Sequence, residues 1–559
     1  MVLAVVVGAG AGAGSVVFRW CITAFTHLFS GHADYAASPG SDNPYVPWLG
    51  PSFVLLTPVL GGLLYGPLVH RFAKEARGHG VPEVMLAVAQ RGGRISPKVA
   101  VVKTLASALT IGSGGSVGRE GPIVQIGSAL GSTLGRIIKV TEHRMKLLVA
   151  CGAAGGIAAT FNAPLAGVFF AMELILGTFS TEAFGATVLA SVTASVIGRA
   201  AFGDVAFLTL PAFHVAHLAQ YGLFALLGVV AAVVGVGFAR VLYLVEDACD
   251  WVWRGPEWLR PAAGGLALGL VLLAMPEMYG VGYPVLEKAT AGGYAVGFLL
   301  LLLVGKVLAT SLTIGIGGSG GVFAPSLFIG AMLGSAYGAG VHQLLPGTAG
   351  SAGAYALVGM GAVFAGAARA PITAVVILFE LTGEYSIILP LMLAIVLATA
   401  TSRLLTRDTV YTLKLRRRGI DLDGPAPGAR TGAQRVASVM DPLPSPLPAS
   451  TELADAADLL SLAGYGALPV VDADGHYVGV VTARAIAEAL SEQPDAAPTA
   501  VGRLAELPGP VTADQPLAQA VHALLSAAGT GVPVLDPAHG RPIGWLSHQS
   551  ALRAVHTTA

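Results

Sequence analysis

Glu120 sits in Gly112-Ser-Gly-Gly-Ser-Val-Gly-Arg-Glu-Gly-Pro122, a polar break between apolar stretches. Two similar breaks are Gly78-His-Gly-Val-Pro-Glu83 and Gly315-Ile-Gly-Gly-Ser-Gly-Gly-Val-Phe-Ala-Pro325, and Tyr411 follows the last apolar stretch. In each break, glycines leave backbone N–H groups unshielded. A proline stands where its missing N–H costs nothing, in the first turn of a helix. A helix start offers unpaired donors and about half a positive charge. Several such starts meeting at one point would hold a small anion without a full cationic side chain, so the ion could also leave. A carboxylate among apolar segments is costly unless it works. At a helix start, the Glu120 side chain could occupy an anion's position and compete with it, and protonation would release it. Glu120 is therefore a candidate gate; the alternative is a buried ion pair with Arg119. No loop is followed by the Lys-Ser/Thr of a phosphate-binding P-loop.

The elements that must position these breaks are membrane helices. Of 559 residues, 54% are hydrophobic and 11% charged, too few charges to cover a soluble surface. Apolar segments run through 1–29, 51–70, 99–111, 122–139, 145–176, 183–203, 218–248, 262–275, 297–315, 322–345, 354–381 and 385–405. Several fall short of the ~20 residues a full span needs, and many are cut by Gly or Pro. Half-spans of that kind are tolerated only around a polar pathway. The segments also repeat. Lys103-Thr-Leu-Ala-Ser-Ala-Leu-Thr-Ile-Gly matches Lys306-Val-Leu-Ala-Thr-Ser-Leu-Thr-Ile-Gly, and the spacing holds through Gly118/Gly321, Pro122/Pro325, Gly127/Gly330 and Gly131/Gly334. A second block, Ala163-Pro164 through Glu173-Leu174, matches Ala370-Pro371 through Glu380-Leu381. Two halves with breaks at matching positions are a transporter signature. The residues alone leave open whether the halves are parallel or inverted.

Arg403, Arg407, Lys414, Arg416, Arg417 and Arg418 follow the last apolar segment and predict a cytoplasmic C-terminus. A Pro/Gly stretch, Asp423-Gly-Pro-Ala-Pro-Gly428, reads as linker. Beyond it, Leu468-Pro-Val-Val-Asp472 recurs as Val532-Pro-Val-Leu-Asp536, and Gly479-Val-Val-Thr482 as Gly544-Trp-Leu-Ser547, predicting a small paired α/β unit. Cys21, Cys151 and Cys249 lack metal spacing and read as buried thiols. Zero net charge gives no sign of a nucleic-acid partner. No basic stretch precedes the first apolar run, so no cleavable signal is expected.

Gly118-Arg-Glu-Gly-Pro122, the Gly-x-Phe-x-Pro pattern at Gly321–Pro325, Phe161-Asn-Ala-Pro-Leu-Ala-Gly167 and Phe379-Glu-Leu-Thr-Gly383 resemble the signature set of the CLC chloride channel and transporter family, over roughly residues 1–418. The tail resembles a tandem pair of CBS domains. The resemblance implies a mainly α, polytopic membrane protein with two inverted repeats of full and half-spanning helices, plus a small α/β cytoplasmic CBS pair. It implies a homodimer in the cell inner membrane with one anion pathway per subunit, and Glu120 as the external gating glutamate. Backbone amides of Val322 and Phe323 would coordinate the anion, with those around Arg119 and Gly121 taking the outer position. Tyr411 would turn its hydroxyl to the central anion; on the residues alone, an interfacial anchor is the alternative. The stretch ahead of the first helix typical of the family is expected to be missing.

Three departures matter. Where the family's first motif usually carries Ser, this chain has His79, followed by Gly80. Imidazole can donate a hydrogen bond and becomes cationic near its ordinary pKa of about 6.5, so the inner site could be pH-sensitive or altered in selectivity. Many proton-coupled members carry a second Glu after Glu173, and here that position is Leu174. This favours a passive glutamate-gated channel, with a chloride/proton antiporter as the alternative. In the tail, the positions where nucleotide-binding CBS domains often place Asp are Ala485 and Ser550, so an adenine nucleotide is not expected. The expected domains are 1–418 for the anion pathway, 419–434 as linker, and CBS domains at 435–491 and 499–559. No HExxH or Cys/His spacing points to an enzyme or a resident cofactor; the partners are a small anion such as chloride, lipid and a second copy.

Overall fold

The computed structural model describes residues 1–203, 217–346, 350–421, 434–463, 466–492, 500–507, 509, 511–527 and 530–557. They form two compact units, Met1–Asp421 and Leu422–Ala559. Most of the expected linker, 422–433, lies outside the described residues.

The first unit is helical. Its first half holds α1 (Val2–Ser30), α2 (Thr57–Phe72), α3 (Val81–Gln90), α4 (Pro97–Gly112), α5 (Glu120–Ile138), α6 (Glu142–Phe161), α7 (Pro164–Phe170) and α8 (Thr181–Phe202). Its second half holds α9 (Ala219–Val252), α10 (Arg260–Ala274), α11 (Tyr283–Thr290), α12 (Val296–Gly315), α13 (Phe323–Leu344), α14 (Ala352–Ala368), α15 (Pro371–Thr382), α16 (Ile388–Leu405) and α17 (Thr412–Arg417). Among the described residues, seven helices are long and apolar enough to cross a membrane, and a 52° bend joins Pro47–Leu55 to α2. Apolar helices α3, α7, α10, α14 and α15 are shorter, as the interrupted segments predict.

The sequence repeat is an inverted structural one. Gly118 and Gly321 exchange both backbone hydrogen bonds, at 2.8 and 2.6 Å, in an antiparallel bridge. The Ser116 amide donates to Thr313 Oγ1 and the Ser319 amide to Thr110 Oγ1, each at 3.2 Å. Glu173 accepts from the Ile372 and Thr373 amides at 3.2 and 2.8 Å, while Glu380 accepts from those of Leu165 and Ala166 at 2.9 and 2.7 Å. Each contact is repeated with the halves exchanged, as a two-fold relation requires, and the chains run in opposite directions where they cross.

The same symmetry governs packing. A Cβ on Gly127 or Gly131 would lie 2.1 or 2.2 Å from backbone oxygens of α6, and one on Gly330 or Gly334 would lie 2.4 or 2.0 Å from those of α14. Glycines four residues apart thus let α5 press on α6 and α13 on α14, the close approach that substitutes for a hydrophobic drive between helices in lipid. Cys21 and Cys151 are buried, but Cys249 is only half-buried, because it lies near the end of α9 where that helix leaves the packed interior.

The second unit holds two three-stranded sheets. β1 (Leu447–Pro448) pairs parallel with β2 (Ala467–Val471), which pairs antiparallel with β3 (Tyr477–Thr482); β4 (Val511–Thr512), β5 (Gly531–Leu535) and β6 (Pro542–Ser547) repeat this. The bulge falls at Val470/Val471 in one and Val534/Leu535 in the other. The cores do not follow the sequence boundaries: Val436 packs into the second copy's core, and Val501 into the first's. Trp545 is fully buried against Ala467 and Val480, joining the two.

Candidate functional site

The site begins with glycines that let loops meet. Gly80 precedes α3 at φ +80°, a backbone angle L side chains rarely adopt. A Cβ on Gly121 would stand 2.0 Å from the His79 carbonyl oxygen and 3.1 Å from the Gly321 Cα, so the starts of α3, α5 and α13 touch. Two fully buried lysines fix the preceding loops. Lys103 Nζ donates to the carbonyls of Ala76 and Gly78 at 2.9 and 2.6 Å; Lys306 Nζ donates to Ser116 Oγ and the carbonyls of Gly280 and Val281 at 2.9–3.1 Å. Carbonyl dipoles replace the water these ammonium groups would otherwise need.

Glu120, 1% exposed, lies at this junction. Its Oε2 accepts from the Ala324 amide in the first turn of α13 at 3.3 Å, and its Oε1 accepts from the Tyr283 hydroxyl at 3.0 Å. The carboxylate of one repeat therefore sits on the helix start of the other. Arg119 Nη2 donates to the Thr160 carbonyl at 3.4 Å, and its guanidinium lies over the Tyr283 ring, 5.1 Å from the centroid. A cavity of about 520 Å³ reaches this place, with Arg19, Asp34, Arg119, Tyr283 and Glu287 in its wall.

Among the described residues, the amides of Gly80, Gly121, Val322 and Phe323 donate no hydrogen bond within the chain. Buried N–H groups are nearly always paired, so a cluster of unpaired ones points to a ligand that accepts. Phe323 is held by ring contacts to Phe161 and Phe364, at 5.7 and 4.5 Å between centroids. Tyr411, 1% exposed, precedes α17, and its ring lies 6.1 Å from that of His79.

His79 is fully enclosed, and its Nε2 pairs with the Tyr243 hydroxyl at 3.1 Å. That hydroxyl donates to the Val410 carbonyl at 2.6 Å, so the neutral ring carries its proton on Nε2. Nδ1 is left buried without a hydrogen-bond partner and with no proton to donate. Leu174 lies in a π-helical turn, Ala171–Leu176, that continues α7. The turn directs the neighbouring Glu173 onto the start of α15, so both matching acids of the second repeat block, Glu173 and Glu380, close helix ends.

Tyr283 and Tyr243 escaped the sequence reading. Tyr283 had a signal: Gly280-Val-Gly-Tyr-Pro284 repeats the Gly78-His-Gly-Val-Pro82 pattern, so a further broken start was due there. Tyr243 lies inside the 34-residue apolar helix α9 and has no local signal.

Broken helices that gather unpaired amides and one acid at a buried point inside an apolar bundle define a membrane protein built to translocate anions. The family model described as Voltage gated chloride channel matches residues 61–403, and that of the CBS domain matches 436–492. A ClcB-like protein of Ralstonia nicotianae is 35% identical over 75% of this chain and 96% of its own length. The H(+)/Cl(-) exchange transporter ClcA of Vibrio parahaemolyticus is 36% identical over 66% of this chain and 80% of its own. Among solved structures, a slow cyanobacterial Cl-/H+ antiporter superposes with a TM-score of 0.67 at 28% identity, covering 76% of this chain and 98% of that one. The chain belongs to the voltage-gated chloride channel family, the CLC proteins, and its function is anion transport.

Proposed function

We propose that this protein carries chloride or a similar small anion across the membrane in exchange for protons, with Glu120 as the group both ions engage. The observation that carries this is the seat of the Glu120 carboxylate on the amide of Ala324 at the start of α13. A helix start beside unpaired amides favours one negative charge at a time, so carboxylate and chloride compete for it. A protonated carboxyl group loses its claim on the seat, so proton uptake and anion entry become linked steps. Relatives named as H(+)/Cl(-) exchange transporters support the coupled reading.

A second reading, the passive glutamate-gated channel, is favoured by Leu174, which offers no proton acceptor beside Glu173. Liposomes loaded with chloride separate the two. Exchange predicts that a chloride gradient drives protons uphill, and that Glu120→Gln keeps chloride flux but ends proton movement. Chloride flux without proton movement in the wild type selects the channel; no chloride flux at all defeats both.

In this reading the amides of Gly80, Gly121, Val322 and Phe323 and the hydroxyl of Tyr411 receive the anion along the path, with Arg119 at the outer position. His79 acts beside them through ring polarity, its Nε2 proton being engaged with Tyr243. The reading also takes the protein as a homodimer of the inner membrane, with the CBS pair cytoplasmic. The tail works without adenine nucleotide: Ser550 Oγ donates to the Ser547 carbonyl at 3.0 Å, and Ala485 has no oxygen to hold a ribose. Adding ATP or AMP should leave the tail's melting temperature unchanged.

A further inference from the structure

Lys414 is 7% exposed, and among the described residues its ammonium makes no hydrogen bond or ion pair. The arginines around it have partners. Arg77 pairs with Glu257 at 2.9 Å, Arg416 with Asp408 at 3.2 Å, Arg418 with Glu83 at 2.5 Å, and Arg417 with Asp247. Lys103 is held by carbonyls. Glu83 and Glu246 are the carboxylates whose charge reaches Lys414, and the former is already bound by Arg418. An ammonium this enclosed is costly unless a counter-charge visits it.

Its position says which counter-charge. Nζ rests against Gly78, where a Cβ would come within 2.4 Å of it, one residue before His79. Lys414 follows Tyr411 by three residues, Tyr411 capping the start of the short helix α17 that carries Lys414. A cavity of about 280 Å³ has His70, Lys74, Arg77, Arg418 and one acid, Glu257, in its wall, and Arg77 and Arg418 are among the charges acting on Lys414.

We propose that Lys414 is the inner anion-recruiting residue: its ammonium takes a small monovalent anion from the basic cavity and passes it to the Tyr411 hydroxyl and the amides beyond. This rests on the anion-transport reading above and adds a residue to it. A full positive charge at the end of the path raises the local anion concentration. Nearer the middle, Lys103 and Lys306 are already held by carbonyls and Ser116 Oγ, so the anion meets mainly amides there and release is not blocked.

The test uses full-length protein in liposomes and initial chloride flux against chloride concentration. Lys414→Met should raise the half-saturating chloride about tenfold and leave the plateau flux within about twofold, while Lys414→Arg stays near wild type. Lys414→Cys should behave like the Met variant. A thiol reagent that adds an ammonium group should restore it, and one that adds a sulfonate should not; treated wild type controls for Cys249. A structural role would show no such dependence on the sign of the added charge. Equal half-saturation in the wild type and Lys414→Met, or recovery with either reagent alike, would overturn the role of Lys414 while chloride flux itself upholds the transport reading. A wild type that passes no chloride would overturn both.

Discussion

At the scale of single residues, the hold on Glu120 comes from one amide and one phenol. The phenol, Tyr283, belongs to the duplicated Gly-x-Gly-x-Pro start and has its ring beneath Arg119. A hydrogen bond to a charged group contributes roughly 1.5–3 kcal/mol, or at least about tenfold in occupancy. Tyr283→Phe should therefore free the seat and raise chloride flux at low chloride by about tenfold, read as initial efflux from liposomes; an unchanged rate would mean that the phenol does not hold the gate. His79 acts differently from the serine it replaces. Its ring proton is engaged with Tyr243, so it is a poor donor toward an anion while neutral. His79→Ser should change the reversal potential between chloride and nitrate, and identical potentials would make His79 a packing residue.

At the scale of elements, helix starts matter more than helix lengths. Glu173→Ala would leave the amides of Ile372 and Thr373 without an acceptor, and Glu380→Ala those of Leu165 and Ala166. Each should cost about 1–3 kcal/mol and lower the melting temperature in detergent, with ion selectivity unchanged. Gly131→Val would drive a side chain into the Leu148 carbonyl and should separate α5 from α6, seen as loss of folded protein on size exclusion. These elements show what could be read in advance. The three breaks and their glycines were legible because Gly, Pro and polar residues interrupt apolar runs. The start of α11 is harder to see, because its polar break has only one feature beyond Gly and Pro, a tyrosine that hydropathy does not single out. The π-helical turn after α7 had no signature, since no residue pattern in Ala171–Leu176 distinguishes it from a continuing α-helix. The exchange of Val436 and Val501 between tail cores was equally hidden, because sequence repeats mark where copies lie and not where segments pack.

At the scale of the whole molecule, the chain is two compact units with separate cores. A protein ending at residue 421 should keep measurable chloride flux in liposomes, and its loss would make the tail part of the transport machinery. Trp545→Ala should empty a fully buried site between the tail's copies and cost about 3–5 kcal/mol, visible as a lost or lowered tail transition in calorimetry.

The reciprocal acids have a consequence for how the chain is made. While the ribosome has delivered only the first repeat, α7 lacks the carboxylate that finishes it, and Glu173 waits in the bilayer for a helix not yet synthesised. Each repeat alone leaves two helix-start amides without their acceptor, so the early half is less stable until Glu380 emerges. Co-expressed halves should rescue one another, and either one produced singly should be degraded.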